Sequence, residues 1–156
     1  AAAAGAKAGG TTLTARSRPA AVTLLVVLLA VLGLSGLVGG VALLADTSGA
    51  VLDLSPDLLG GSPFADYLVP GLALFLFLGV FPLAVAGGLL TQHRLAWHGV
   101  LAAGLAVLVW FAVQLFAVGW GNALQWLYLT LGVAILVVGA LPSVRRYATP
   151  RPTGLA

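Results

Sequence analysis

The chain has 156 residues, 61% of them hydrophobic and 7% charged, with a net charge of +3 and a mean hydropathy of +1.13. A soluble domain carries about 25% charged residues, so this composition excludes a water-soluble globular fold and makes lipid the solvent for most of the surface. Cysteine is absent, which removes disulfides, thiolate metal sites and cysteine nucleophiles.

The basic residues are split among three short segments and form no basic face, so nucleic acid is not expected as a partner. Heavy use of Ala, Gly, Leu and Val, with a single Lys, a single Ile and no Glu, is the pattern of a high-GC bacterial genome. The chain does not start with Met, and a few residues are expected to precede Ala1.

Residues 1–18 are rich in Ala, Gly and Thr, with Lys7, Arg16 and Arg18. They hold too little apolar surface to order themselves and read as a flexible basic tail against the membrane surface. Residues 19–142 read as the transmembrane domain, and 143–156 as a basic C-terminal tail.

The first apolar run, Ala20 to Leu44, spans about 37 Å as a helix, against roughly 30 Å of hydrocarbon. It is long enough to cross with tilt. A secretory signal core runs about 7–15 residues and closes with a small-x-small site. This run is longer and has no such close, so a retained helix is expected.

Ala45 to Val69 holds all four acidic residues, Asp46, Asp53, Asp57 and Asp66. Ser55-Pro56 and Ser62-Pro63 each place a capping Ser before a Pro at a first helical position, which predicts two helix starts. The second is expected to run from Pro63 into the next helix, bent near Pro70. Leu52, Leu54, Leu58, Leu59 and Phe64 are too apolar for a free loop, so an ordered segment is expected at the mouth of the helices. Asp57, Asp66 and Tyr67 are its candidate interaction residues.

The second run is Pro70 to Leu90. Pro82 cannot donate to the carbonyl of Leu78 and clashes with it, which predicts a kink in mid-helix. Thr91 to His98 is a polar link with His93 and Arg94. The third run, Gly99 to Gly119, carries one strongly polar side chain, Gln114, with Trp110 one turn earlier. Trp120 to Gln125 is an uncharged turn. The fourth run, Leu124 to Leu141, is closed by Pro142, and Arg145, Arg146 and Arg151 follow.

Lys7, Arg16 and Arg18 precede the first run, Arg94 lies between the second and third, and the remaining arginines follow the fourth. The other two links carry no Lys or Arg. The positive-inside rule then predicts both termini in the cytoplasm. Trp97, Trp120, Trp126 and Tyr67 fall near run ends, where aromatic belts sit.

Candidate sites are few. The four Asp residues match no calcium-loop spacing, and no metal site is expected from them. Asp57 near a helix N-terminus is more simply a favourable dipole partner. His93 and His98 lie in the polar link, and no His lies inside an apolar run, so no bis-His haem and no cofactor is expected. No Ser-His-Asp set, carboxylate pair or phosphate loop can be assembled, so no catalytic residue is assigned.

Gln114 and Trp110 share a helix face, and Gln114 is expected to turn inward and bond a neighbouring helix. Alternatively Trp110, Gln114 and the Pro82 kink line a ligand or lipid site. Ser35, Gly36, Gly39 and Gly40 form overlapping small-residue pairs expected to pack helix on helix within the chain.

Gly61-Ser-Pro-Phe-Ala-Asp-Tyr-Leu-Val-Pro-Gly71, Trp110-Phe-Ala-Val-Gln114, Leu124-Gln-Trp-Leu-Tyr128 and Pro142-Ser-Val-Arg-Arg-Tyr147 carry a resemblance. Over residues 20–147 the chain resembles a family of small uncharacterised four-helix membrane proteins of actinobacteria and other bacteria. The resemblance implies a fold and no activity. Four-helix multidrug exporters are similar in helix count only, since no membrane-embedded Glu is present.

The expectation is therefore an all-α integral membrane bundle of four transmembrane helices, N-in and C-in, in the plasma membrane. Its expected role is non-enzymatic, as a structural, accessory or interaction subunit, with the lipid bilayer and other membrane-protein subunits as partners. The alternative is a small transporter or a lipid- or hydrophobic-ligand-binding protein.

Overall fold

A computed structural model describes residues 18–121 and 123–149. Of the expected 1–18 tail only Arg18 is described; Lys7, Arg16 and Arg151 lie outside the described residues. Those described are all-α, with no strand among them. The helices are α1 (Ala20–Ala45), α2 (Leu68–Leu90), α3 (Ala96–Val118), α4 (Ala123–Gly139) and α5 (Pro142–Ala148). Two 3-10 turns, Ala50–Leu52 and Pro56–Leu59, lie between α1 and α2.

By length and composition α1, α2 and α3 can each cross a membrane, and α4 with α5 makes a fourth candidate if that bent pair counts as one span. The apolar character goes all the way round. In α1, Val22, Leu25, Leu29, Leu32 and Leu43 recur at helical spacing and are buried, while Leu24, Val27, Val31, Leu34, Val38 and Val41 on the other faces are exposed. A helix apolar on every face has no side suited to water.

α1 packs along the length of α2 and also touches α4; α2 packs on α3, and α3 on α4. The α1–α2 seam is made of backbone. Gly36 sits on the carbonyl group of Leu78, leaving no room for a Cβ. A Cβ at Gly40 would come 2.6 Å from Cβ of Phe75 and 2.7 Å from its Cα. Gly39 faces the Leu74 side chain, and Ser35 turns its hydroxyl onto the Leu32 carbonyl at 2.8 Å. Small residues let two backbones approach closely, and dispersion between them then holds the contact.

α2 differs from its expected form. Its stretch Leu74–Val80 is π-helical, and the Phe81 amide bonds back to the Leu76 carbonyl, five residues away. Pro82 falls at the start of the α-helical stretch Phe81–Leu90 and is fully buried. A π turn shifts the hydrogen-bond register by one residue, which takes up the donor that proline lacks. Leu68–Leu90 therefore continues as one span through Pro82. The sharp bend of the chain, 72°, lies between α4 and α5.

The helix starts also differ. Ser55 caps the turn Pro56–Leu59 by accepting from the Asp57 amide at 3.2 Å. Ser62-Pro63 starts no helix: Ser62 donates to the Leu59 carbonyl at 3.0 Å and closes a turn. α2 begins at Leu68, where the Asp66 carboxylate accepts from the Leu68 amide at 3.0 Å. Pro70 lies in that first turn, where a missing N–H costs nothing.

Pro142 opens α5 rather than only ending α4. Proline is favoured at a first helical position because its φ is already helical. Val144 and Ala148, four apart, are fully buried, so the start of the expected tail is a short helix packed on α1, α3 and α4.

Candidate functional site

The described charges separate. Arg18, Arg94, Arg145 and Arg146 belong to the end where α1 begins, α2 turns into α3 and α4 turns into α5. Asp46, Asp53, Asp57 and Asp66 belong to the opposite end, between α1 and α2.

At the acidic end Tyr67 is the hub. It is 7% exposed, so it turns inward rather than offering a surface. Its hydroxyl donates to the Ser55 carbonyl at 2.8 Å and its amide to the Thr47 carbonyl at 2.9 Å. Burial raises its pKa above the ordinary value, so the hydroxyl stays a donor. Its ring lies where a Cβ on Gly49 would be, 2.7 Å from Cε2, and Gly49 has a φ of +84°. Only glycine meets both demands without strain.

The carboxylates serve local turns. Asp46 accepts from the Ser48 hydroxyl at 2.6 Å and its amide at 3.0 Å, which lowers the Asp46 pKa. Asp57 accepts from the Ser55 hydroxyl at 3.2 Å, and Asp66 caps α2. Among the described residues no three potential metal ligands gather.

At the basic end Trp97 joins three elements. Its indole N–H donates to the Gly139 carbonyl at 3.1 Å, across α3 and α4. The Arg145 guanidinium of α5 lies 5.0 Å from the Trp97 ring centroid. His98 meets the Trp97 ring edge-on at 5.1 Å. α3 starts at Ala96, so His98 lies in its first turn and is exposed. The position of Trp97 near a run end predicts only a belt residue. Trp120 and Trp126 are exposed, as a belt residue would be, and their rings meet at a tilt of 43° with centroids 5.9 Å apart.

The site of most chemical interest is in α3. Trp110 and Gln114 come together on one face, as their spacing requires. The bond expected from Gln114 to a neighbouring helix is not made: its Oε1 is buried and has no partner. The Trp110 Nε1–H is likewise buried without an acceptor. Each orphaned group costs about 1–3 kcal/mol, and native proteins carry few of them.

Trp110 also lines an open-sided groove of about 420 Å³ between α2 and α3. Ala73, Phe77 and Leu78 form one wall and Ala102, Ala106 and Trp110 the other. Pro82 does not line it and belongs to the core. Small side chains on both walls create the space, a pattern visible in sequence only once α2 and α3 are known to pack together. Its lining is almost wholly apolar and its size falls within the usual range of ligand clefts.

No protein family, no curated protein and no solved structure matches the chain.

Proposed function

We propose that the chain is a non-enzymatic plasma-membrane protein of the small four-helix bacterial type it resembles. Its four helices cross the bilayer with both termini and the α2–α3 link in the cytoplasm, and it acts by binding, as an accessory or interaction subunit. The separation of charges carries this reading: among the described residues acids and bases stand at opposite ends of the helices, so no acid–base pair among them faces a common substrate. The basic end satisfies the positive-inside rule.

A second reading, a binder of a lipid or other hydrophobic ligand, is favoured by one observation. The Trp110–Gln114 pair is unsatisfied beside an apolar groove. A protein whose only need is packing gains nothing from two orphaned polar groups there.

Two experiments test these readings. Gly61→Cys, at an open exposed site, and Ser143→Cys are introduced singly into a chain without native cysteine. An impermeant thiol reagent on intact cells labels position 61 and not 143; the reverse pattern overturns the orientation. Gentle solubilisation followed by mass spectrometry recovers a stoichiometric membrane-protein partner if the chain is a subunit. Recovery of the chain alone with bound lipid favours the second reading.

A further inference from the structure

We infer that the basic end of the helices is a docking surface for anionic phospholipid headgroups, with the Arg145 guanidinium over the Trp97 ring as its fixed point. This rests on the membrane-spanning reading above and names the lipid class that one end of the protein selects.

Arg18, Arg94, Arg145 and Arg146 are all exposed. Among the described residues, none of their side chains makes a hydrogen bond or an ion pair. The four Asp residues, the only acidic side chains in the chain, stand at the far end of α1, whose 26 residues span about 39 Å. That is several times the screening length of about 8 Å at physiological salt, so the Asp residues cannot serve as counter-charges.

Depth decides which anions these arginines meet. Arg18 lies two residues before the start of α1, and Arg94 two before the start of α3. Arg145 and Arg146 sit on α5, which turns 72° from α4. With α4 crossing the bilayer, that turn lays α5 close to the plane of the membrane surface. Val144 and Ala148 are fully buried and anchor α5, so its arginines are held at headgroup depth. Lipid phosphates surround the protein at that depth, and an acidic protein would have to displace them.

Arg145 is the best placed of the four. The Trp97 indole is fixed by its bond to the Gly139 carbonyl, and the guanidinium lies 5.0 Å from the ring centroid. The ring face attracts the cation through its quadrupole and leaves the guanidinium N–H groups for phosphate oxygens, which arginine can hold two at a time. Phosphatidylcholine has the same phosphate but adds a choline cation that the arginines repel. The preference is therefore for a headgroup of net negative charge.

The test uses the full chain in phosphatidylcholine vesicles. Spin-labelled phosphatidylglycerol and phosphatidylcholine, labelled at the same chain position, are compared by electron paramagnetic resonance. The fraction immobilised by the protein is expected to be about twofold or more greater for phosphatidylglycerol. One arginine near the surface is worth roughly fivefold at its own site, and the remaining lipid shell shows no preference. The excess falls in about 1 M salt, where the screening length is about 3 Å. Arg145→Gln lowers it more than Arg94→Gln does, and Arg145→Lys, which keeps a cation over the ring and α5 in place, retains most of it.

Equal immobilisation of the two labels overturns the inference. If soluble poly-glutamate then binds the same vesicles, the basic end belongs to an acidic protein partner instead. A preference unchanged by salt, or lost equally in Arg145→Lys and Arg145→Gln, also overturns it. If neither label is immobilised, the membrane-spanning reading falls as well.

Discussion

The Tyr67 hydroxyl donates to the backbone carbonyl of Ser55 at 2.8 Å, twelve residues back along the chain. This bond, with Tyr67 N–H to the Thr47 carbonyl, ties the acidic segment to the first turn of α2.

Tyr67→Phe keeps the ring against Gly49 and removes that bond. The expected loss is about 1 kcal/mol, seen as faster amide exchange between Gly49 and Leu59 while α1 and α2 keep their protection. Unchanged exchange there would mean the bond contributes nothing. The contribution also depends on pH. The Tyr67 pKa is raised, so its stabilisation is complete below the ordinary tyrosine value of 10.0 and is lost as pH rises through the higher folded value. Protection in the same segment, corrected for base-catalysed intrinsic exchange, should fall only in that alkaline window.

The glycine seam predicts a graded response. Gly36→Ala places a methyl on the Leu78 carbonyl, and Gly40→Ala places one 2.6 Å from Phe75 Cβ. Each should destabilise by about 1–3 kcal/mol or more, because backbone cannot move aside as a side chain does. Gly87→Ala meets nothing within 4 Å and should be neutral or stabilising by up to about 1 kcal/mol. Thermal unfolding in detergent ranks the three, and equal effects would argue against the seam.

Trp97→Phe removes the bond to Gly139 and weakens the guanidinium contact with Arg145. The first is worth about 1 kcal/mol and the second about 0.5–1 kcal/mol. Release of α5 is the expected outcome, read as proteolytic cleavage after Arg145 or Arg146 in the variant alone. Arg145→Ala should give part of that effect, and Arg146→Ala much less, since no ring contact involves Arg146.

The chain should carry no protons by itself. Ion-coupled carriers place an ionisable group inside the membrane. Among the described residues the interior of the long helices holds no Asp, Glu, Lys, Arg or His: His98 stands exposed in the first turn of α3, and Gln114 does not titrate. In liposomes under an imposed pH gradient, the decay should match protein-free vesicles with or without cationic drugs. Substrate-dependent flux that is lost in Gln114→Leu would overturn this.

The long helices are legible in the sequence because each apolar run is uninterrupted by charge and of membrane length; lipid-facing and core-facing positions draw on the same residues, so length decides. The Trp110–Gln114 face is legible for the same reason, as helical spacing alone brings the two side chains together. What Gln114 bonds is not, because that depends on which helix lies opposite and at what distance. Pro82 was legible as a disturbance, but a missing N–H can be met by a bend or by a register shift, and the sequence does not choose between them. α5 left a trace in Val144 and Ala148, four apart after a proline, which the two neighbouring arginines obscured. Tyr67 reads from sequence as an interaction residue of the outer segment, whereas its partners, Ser55 and Thr47, lie too far back along the chain for a local pattern to reveal them.

The π stretch in α2 works as a phase shift. A helix with one residue taken up in this way has its two halves rotated by about 100° relative to each other compared with an uninterrupted α-helix. Ala73 and Phe77, on the groove, and Val85 and Ala86, in the core, are therefore set at angles that a regular helix would not give them. The chain has in effect one residue more than a uniform helix needs between its two ends. Deleting a single residue within Leu74–Val80 would wind α2 back to regular pitch without removing any charged or catalytic group. It would turn one half away from its neighbours, so the length of this helix, counted to the residue, is itself a determinant of which surfaces face α1 and which face α3.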